Sequence, residues 1–472
     1  MLILITKGFY DFGERKPCMQ TDMTHGPIMR SMLSFAAPMV LGNLLQQCYN
    51  IADTLIVGRY LGSDALAAVG SSFTLMTFLT SILLGLCMGS GAFFSIRFGE
   101  KDEKGLKDGV CASFVLILSL TVILNIVAFI LLDKVKIFMN IPSEVWEYMR
   151  DYLAVIFCGI FATFLYNYFA SLLRAVGNSV VPLVFLAASA VLNIGLDFLF
   201  VLVLKRGVSG AAEATLIAQY LSGIGIVVYS VKRVPYLKLK KEELRIKRGC
   251  MRKIMGFSIL TCIQQSVMNL GILLVQGIVN SFGSSVMTAF AAAVKIDAFA
   301  YMPVQDFGNA FSTFIAQNYG AKKPKRIRRG LKGAAAVSMI FCAVISAAVW
   351  IFANPLMRMF VNVEETEIIA EGVRYLHIEG TFYFGIGCLF LLYGFYRALG
   401  KPRMSVVLTV LSLGTRVLLA YMLSSIPEVG VAGIWWSVPI GWFLADAVGI
   451  VYYVIRKKSL LSNSTAISEN SI

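Results

Sequence analysis

Only two histidines occur in 472 residues, charged side chains make up 15% of the chain, and its nine cysteines include no C-x-x-C pair. Soluble domains carry about 25% charged and 45 to 50% apolar residues, whereas this chain is 58% hydrophobic with a mean hydropathy of +0.75. A soluble globule, a disulfide-stapled secreted module and a disordered chain are thereby excluded. The period-two alternation of an outer-membrane barrel is also missing, because the apolar runs are continuous. There is no GxxxxGK[ST] phosphate loop and no HExxH, which argues against an ATP-driven pump and against a membrane zinc protease. No cleavable signal is expected: Met1 to Thr6 is a short apolar patch followed by the charged stretch Tyr10 to Thr24, and Met19 or Met23 is an alternative start to Met1. The cysteines read as small packing residues in a reducing setting, with His25 and His377 as the sole imidazoles.

What the chain has instead is apolar runs of about 20 residues, each matched to the hydrocarbon thickness of a bilayer. Twelve spans are predicted near residues 32–57, 66–96, 109–132, 148–173, 179–204, 208–231, 253–280, 286–317, 331–354, 370–396, 403–425 and 431–455. The excess of 42 basic over 27 acidic residues is not spread as a nucleic-acid surface would require. Of the 42 Lys and Arg, 32 fall on the termini and the even-numbered loops and 8 on the odd-numbered loops. By the positive-inside rule both termini are cytoplasmic, in a multi-pass protein of the plasma (inner) membrane whose basic side meets anionic lipid. The expected layout is a cytoplasmic segment 1–31, a first lobe 32–231, a basic cytoplasmic linker 232–252, a second lobe 253–456 and a disordered cytoplasmic tail 457–472.

An internal repeat organises those spans. Arg174-Ala175-Val176-Gly177 recurs as Arg397-Ala398-Leu399-Gly400 and Gly207-Val208-Ser209-Gly210 as Gly430-Val431-Ala432-Gly433, both 223 residues on, while Arg97-Phe98-Gly99 meets Asn318-Tyr319-Gly320 at 221. Six spans per copy return each copy to the same side, so the copies are parallel and related by an axis along the membrane normal. The fold class expected is an all-α polytopic membrane protein, twelve helices in two six-helix lobes, the architecture of alternating-access transporters. Gly85-x-x-x-Gly89 reads as a close helix–helix contact.

A charge inside the bilayer costs several kcal/mol unless it is protonated, paired or hydrated, so each is a functional candidate. At about 1.5 Å per residue, Asp53 lies roughly 6 to 8 Å below the outer end of its span, Asp197 and Thr215 roughly 10 Å and Tyr152 roughly 6 Å. Asn193 precedes Asp197 by four residues and shares its helix face. Two carboxylates with amide and hydroxyl neighbours in a low-dielectric lobe suit uptake of H⁺, or of Na⁺ held by Asp53, Asn193, Asp197 and Thr215, and the residues alone leave that choice open. At offset 223, Asn193 corresponds to Arg416, Asp197 to Ala420, and Asp53 falls opposite Val275 or Gln276, so the second lobe lacks the carboxylate pair. That lobe has its own charges: Lys295, Glu379 and Arg416 at similar predicted depth, roughly 11 to 14 Å, with Asp297 and Asp446. They read either as an interhelical ion-pair network or as a cation-attracting cleft in which Glu379 and Asp297 act with Gln46 and Gln265. Asp306 and Glu213 are weaker candidates.

The stretch Pro38 to Gly70, PMVLGNLLQQCYNIADTLIVGRYLGSDALAAVG, resembles the first helix and loop of multidrug and toxic compound extrusion (MATE) transporters. The likeness continues through Arg174-Ala175-Val176-Gly177-Asn178, Leu192-Asn193-Ile194-Gly195-Leu196-Asp197 and Ala316-Gln317-Asn318-Tyr319-Gly320-Ala321, covering nearly all of residues 23–458. The resemblance implies a V-shaped exporter of cationic amphipathic compounds driven by inward H⁺ or Na⁺. In the prokaryotic members it is similar to, the coupling residues correspond to Asp53, Asn193, Asp197, Thr215 and Tyr152. Other members use a second-lobe Glu and Asp; here Gln264 or Gln265 stands at the former and Glu379 alone is near the latter. The expected function is a secondary multidrug antiporter that is not an enzyme. It needs no cofactor beyond the coupling ion, binds small-molecule cationic substrates and membrane lipids but no nucleic acid, and acts as a monomer. The alternatives are a lipid-linked precursor or polysaccharide flippase of the same superfamily, kept open by Arg416 and Lys295, and a membrane-embedded transferase.

Overall fold

The structure, a computed structural model, describes residues 22–138, 141, 143–234, 237 and 247–462. Among them the chain forms fifteen α-helices: α1 (Ile28–Leu61), α2 (Ser63–Gly99), α3 (Glu103–Ile130), α4 (Leu132–Phe138), α5 (Ser143–Cys158), α6 (Ile160–Ala175), α7 (Val180–Asp197), α8 (Gly207–Arg233), α9 (Arg248–Asn280), α10 (Ser284–Gly320), α11 (Pro324–Arg358), α12 (Thr366–Thr381), α13 (Tyr383–Ala398), α14 (Pro402–Ser424) and α15 (Ala432–Ser462). Ten of these elements are long and apolar enough to span a bilayer, the span of α7 running on through a π-helical segment to Val203. The pairs α5–α6 and α12–α13 supply two further spans bent by 44° and 52°. The predicted single helices 148–173 and 370–396 are therefore each broken. The break at Gly159 follows from the weak helix propensity of glycine, and its N–H tightens the turn by donating to Ile156 O at 2.8 Å. At Phe382 the backbone makes the same move, Phe382 N to Glu379 O at 3.0 Å, without a glycine to announce it. Other spans extend several residues beyond the predicted ends, because hydropathy stops at the hydrocarbon boundary while the helices run on. The proposed linker 232–252 lies largely, and the terminal segments 1–21 and 463–472 wholly, outside the described residues.

The chain is an all-α, two-lobe membrane protein, and the backbone carries the duplication as well as the sequence does. Left-handed φ values recur in pairs: Gly62 at +93° and Gly283 at +94°, Lys101 at +56° and Lys322 at +54°, Gly177 at +89° and Gly400 at +72°, Gly207 at +64° and Gly430 at +53°. The first two pairs are 221 residues apart and the last two 223. The offset thus changes by two residues between Lys101 and Gly177. This corrects one expectation: at offset 221 the counterpart of Asp53 is the exposed Leu274, not Val275 or Gln276.

The lobes meet along one end of the molecule. A Cβ placed on Gly85 of α2 would lie 2.5 Å from Cys262 Cα of α9, and one on Gly89 would lie 2.6 Å from Ser258 Cα and closer still to Phe257 O. The G-x-x-x-G pair is thus a backbone-to-backbone contact between lobes, supported by Ser90 Oγ against Ser258 Oγ at 2.8 Å. Further along, Gly99 abuts the carbonyl of Gln317 and Gly320 that of Ile96, leaving room for hydrogen alone. The residues before α1 close the same end: Gln317 Oε1 accepts from Met23 N at 3.1 Å while its Nε2 donates to Ala175 O at 2.9 Å. These contacts all lie toward the end that carries Met23, Gly99 and Gly320.

Candidate functional site

In the first lobe α1 packs along α7, and α8 packs against α5, α6 and α7. That arrangement brings together the side chains singled out from sequence. Asp53 is 9% exposed, Asn193 2% and Asp197 0%. Asn193 Nδ2 donates to Thr215 Oγ1 at 3.2 Å, tying α7 to α8. The Tyr152 ring is buried in an apolar wall with Ile56, Val57, Val201, Val208 and Ala211, and its hydroxyl is within Coulombic reach of Asp53, Asp197 and Tyr49. Asp53 and Asp197 are in turn within Coulombic reach of each other. Four oxygens of this group, Asp53 Oδ1, Asn193 Oδ1 and both Oδ atoms of Asp197, are buried without a hydrogen-bond partner among the described residues. Ionised carboxylates are acceptors only, and leaving them undonated in a low-dielectric lobe costs several kcal/mol. The geometry is a nest of buried acceptor oxygens, suited to receive a hydrogen-bond donor, a proton or a cation.

Two features of this nest were not legible in sequence. Asp197 is the last residue before a π-helical segment, Phe198–Val203. Such i→i+5 segments insert a register shift into a helix and gather at functional positions; here Leu204 N donates to Leu199 O at 2.9 Å. Tyr49, one turn before Asp53, has Gln46 beside its hydroxyl. An aromatic in a long apolar helix gives no signal that would separate it from ordinary packing.

The second lobe buries a different cluster. Asp297 on α10 is 5% and Glu379 on α12 1% exposed. The side chains of Tyr383, Glu379 and Tyr375 face the Asp297 carboxyl, with Arg416 of α14 within Coulombic reach. Asp297 Oδ1, Glu379 Oε1, the Tyr383 hydroxyl and Arg416 Nε make no hydrogen bond among the described residues. Tyr375 stands 223 residues after Tyr152 and Arg416 223 after Asn193, so the two clusters are built around the same two repeat positions. Lys295 does not join them: its side chain is exposed, because on α10 it falls two residues from Asp297 and faces away. The depth argument that grouped Lys295 with Glu379 and Arg416 fixed height but not helix face. Gln46 is exposed, Gln265 half-buried and Gln264 buried.

Remaining candidates divide plainly. Glu213 is paired with Arg206 at 2.7 Å at the end of α8. Asp306, 3% exposed, sits between the lobes: Asn43 Nδ2 of α1 donates to both its carboxylate oxygens at 2.7 Å, and Arg174 is within Coulombic reach. Asp446 is buried beside Cys388.

Comparison with known proteins agrees with this architecture. The MatE family model matches residues 38–199 and 259–422. The chain is 30% identical over 400 residues, 83% of its length and 87% of the relative's, to the probable multidrug resistance protein YpnP of Bacillus subtilis. Over 448 residues, 93% of its length and 97% of the relative's, it is 22% identical to the multidrug export protein MepA of Staphylococcus aureus. Among solved structures, a MOP superfamily transporter from Pyrococcus furiosus superposes with a TM-score of 0.89 at 23% identity, over 94% of this chain and 99% of that one. An outward-facing multidrug resistance MATE family transporter superposes with a TM-score of 0.88 at 23% identity, over 94% and 99%.

Proposed function

The chain belongs to the MatE family of membrane transporters, and from that premise we propose that it is a secondary antiporter exporting cationic amphipathic compounds in exchange for H⁺ or Na⁺. The observation that carries the reading is the set of four undonated buried oxygens on Asp53, Asn193 and Asp197. A proton on a carboxyl, or a sodium ion among Asp53, Asn193, Asp197 and Thr215, satisfies them. Tyr152 and Tyr49 close the nest with apolar rings and hydroxyls. An ion acts on transport only through its different affinity for two arrangements of the lobes. Loading neutralises the nest and weakens the hold on a cationic substrate; unloading restores it. On the positive-inside reading that both termini are cytoplasmic, the closed seam at Gly85, Gly89 and Gly99 faces the cytoplasm, and in alternating access the lobes part on the opposite, outer side. Asp297 and Glu379, partly balanced by Arg416, supply negative potential from the second lobe, while Gln265 on α9 of that lobe and Gln46 on α1 of the first contribute neutral polar groups.

The test is drug-driven H⁺ or Na⁺ movement in proteoliposomes, with Asp53→Asn and Asp197→Asn beside the parent, under an imposed pH gradient and separately under an imposed Na⁺ gradient. Each substitution is expected to uncouple efflux from the gradient that drives the parent. Coupled efflux at the parent's ratio in both variants would remove the first-lobe nest from the mechanism.

A further inference from the structure

Where the two lobes join, a cavity of about 430 Å³ opens at the turn between α10 and α11, lined by Lys322, Lys323, Lys325, Arg326 and Arg329 with Ile28 and Pro324. We propose that this pocket binds the phosphate of an anionic phospholipid headgroup. The cavity is an open groove, and five of its seven lining residues are Lys or Arg whose aliphatic stems form much of the wall while their charged ends reach its rim. Two are fixed: Lys323 Nζ donates to Thr24 O at 2.8 Å, and Arg326 spans three carbonyls, those of Met23, His25 and Gly26, at 3.1, 2.7 and 2.8 Å. These two form a rigid wall. The other three, Lys322, Lys325 and Arg329, are exposed and have no carboxylate within ion-pair distance among the described residues. Lys322 lines the pocket from a left-handed turn, φ +54°, and Lys325 and Arg329, four apart, share one face of α11.

Glu100 is paired with Arg97 at 2.7 Å. Asp22, hydrogen-bonded to Thr24 and His25 at 2.6 to 2.9 Å, is within Coulombic reach of Arg326 and offsets one of the pocket's five cations, which leaves a net positive charge for an external anion. α11 begins here with Pro324 in its first turn and no side-chain cap, adding the positive end of a 35-residue helix. Its height favours a lipid over a soluble ion: after Lys332 the helix is uncharged and predominantly apolar from Gly333 to Trp350, which puts the cations at the headgroup layer. Ile28 and Pro324 offer apolar wall to the glycerol and upper acyl chain. Basic pockets of this kind recruit anionic lipid, each charge contributing about fivefold in affinity.

Native mass spectrometry of the full-length protein, with phosphatidylglycerol and phosphatidylcholine offered in parallel, tests the assignment. The parent is expected to retain phosphatidylglycerol preferentially. The triple substitution Lys322→Gln, Lys325→Gln, Arg329→Gln is expected to weaken that retention by about 10- to 100-fold while leaving phosphatidylcholine unchanged, and to lose the upward Tm shift that phosphatidylglycerol gives the parent. Arg456→Gln, Lys457→Gln, Lys458→Gln removes equal charge at the end of α15 and is expected to retain the lipid. Undiminished retention in the pocket variant, an equal loss in the α15 variant, or displacement of the lipid by inorganic phosphate at matched concentration would each overturn the proposal, the last by assigning the pocket to a soluble anion.

Discussion

Replacing Gly85 by alanine is expected to force α2 and α9 apart. A Cβ there would sit 2.5 Å from Cys262 Cα and 2.9 Å from both Cys262 N and Thr261 O. Ordinary van der Waals contact begins near 3.4 Å, so the helices must separate by about 0.9 Å, and every neighbour is backbone that no rotamer change can move. Overpacking of this kind costs about 1 to 3 kcal/mol. That cost falls only on the arrangement in which α2 and α9 touch, so it converts to a shift of about 5- to 150-fold toward the alternative arrangement. Gly256→Ala, on α9 with nothing within 4 Å of the added methyl, is the matched control; it gains helix propensity of up to about 1 kcal/mol. Pulsed electron–electron resonance on a cysteine-free background reads the result. One spin-label pair would be placed at the exposed Lys104 and Arg252 near the seam, another at the exposed Ala67 and Asn280 at the far end. Gly85→Ala should lengthen the first distance and shorten the second, and slow drug efflux. Distance distributions identical to those of Gly256→Ala, at unchanged transport, would refute the view that this seam is a closing surface.

Asn43→Ala strips the buried Asp306 carboxylate of both its 2.7 Å donated contacts and is expected to cost about 2 to 3 kcal/mol, measured as a lower Tm in detergent; an unchanged Tm would show that Arg174 alone suffices. Thr215→Val removes the acceptor for Asn193 Nδ2 and is expected to destabilise by about 1 to 2 kcal/mol, with Thr215→Ser restoring the parent's melting curve. At the strap, partial burial opposes ionisation of Asp22, but the hydroxyl and N–H of Thr24 and the imidazole of His25 outweigh it and hold the carboxyl below the ordinary carboxylate range. A carboxyl lowered in the folded state adds stability that is fully present above its unfolded pKa and lost as pH falls through the folded one. The stability difference between the parent and Asp22→Asn should therefore be constant from pH 8 to about 5 and shrink only below about pH 4; a difference that varied between pH 6 and 8 would point to His25 instead.

Much of the fold was legible because its determinants are compositional. Apolar run length set the spans, and the repeated Gly177 and Gly207 motifs set the two-lobe plan, since glycine at a left-handed turn leaves a fixed mark in both copies. Gly85 and Gly89 were legible for a similar reason: small residues one helical turn apart permit close backbone approach. The bend at Phe382 was not, because no proline or glycine stands there and the break is imposed by packing. The π-helical segment after Asp197 was hidden because Phe-Leu-Phe-Val-Leu-Val suits a regular helix equally well. Lys295 was misplaced because depth along a helix was counted without its azimuth, and two residues of offset turn a side chain by roughly 200°. The basic pocket at the α10–α11 turn was invisible as a pocket, since its cations were already accounted for by the positive-inside rule.

The asymmetry between the lobes follows from where the acids stand in the repeat. Tyr152 and Tyr375 occupy one repeat position and Asn193 and Arg416 another, so the duplicated frame is common to both clusters. The carboxylates are not part of that frame: at the offsets fixed by the backbone, Asp53 answers to Leu274, Asp197 to Ala420, Glu379 to Ile156 and Asp297 to Met76. Each acid thus stands where the other copy is apolar. The decisive difference is at the shared second position. An asparagine there leaves the first lobe with two carboxyls and no cationic side chain within Coulombic reach among the described residues, while an arginine there gives the second lobe a permanent counter-charge. A cluster with two carboxyls and one guanidinium is partly balanced from within, whereas a cluster of two carboxyls without a counter-charge depends more on a cation from solution. Exchange at that single position, Asn193→Arg, should therefore abolish ion-dependent transport while leaving the lobe folded, and the stabilisation by added H⁺ or Na⁺ expected of the parent should vanish with it.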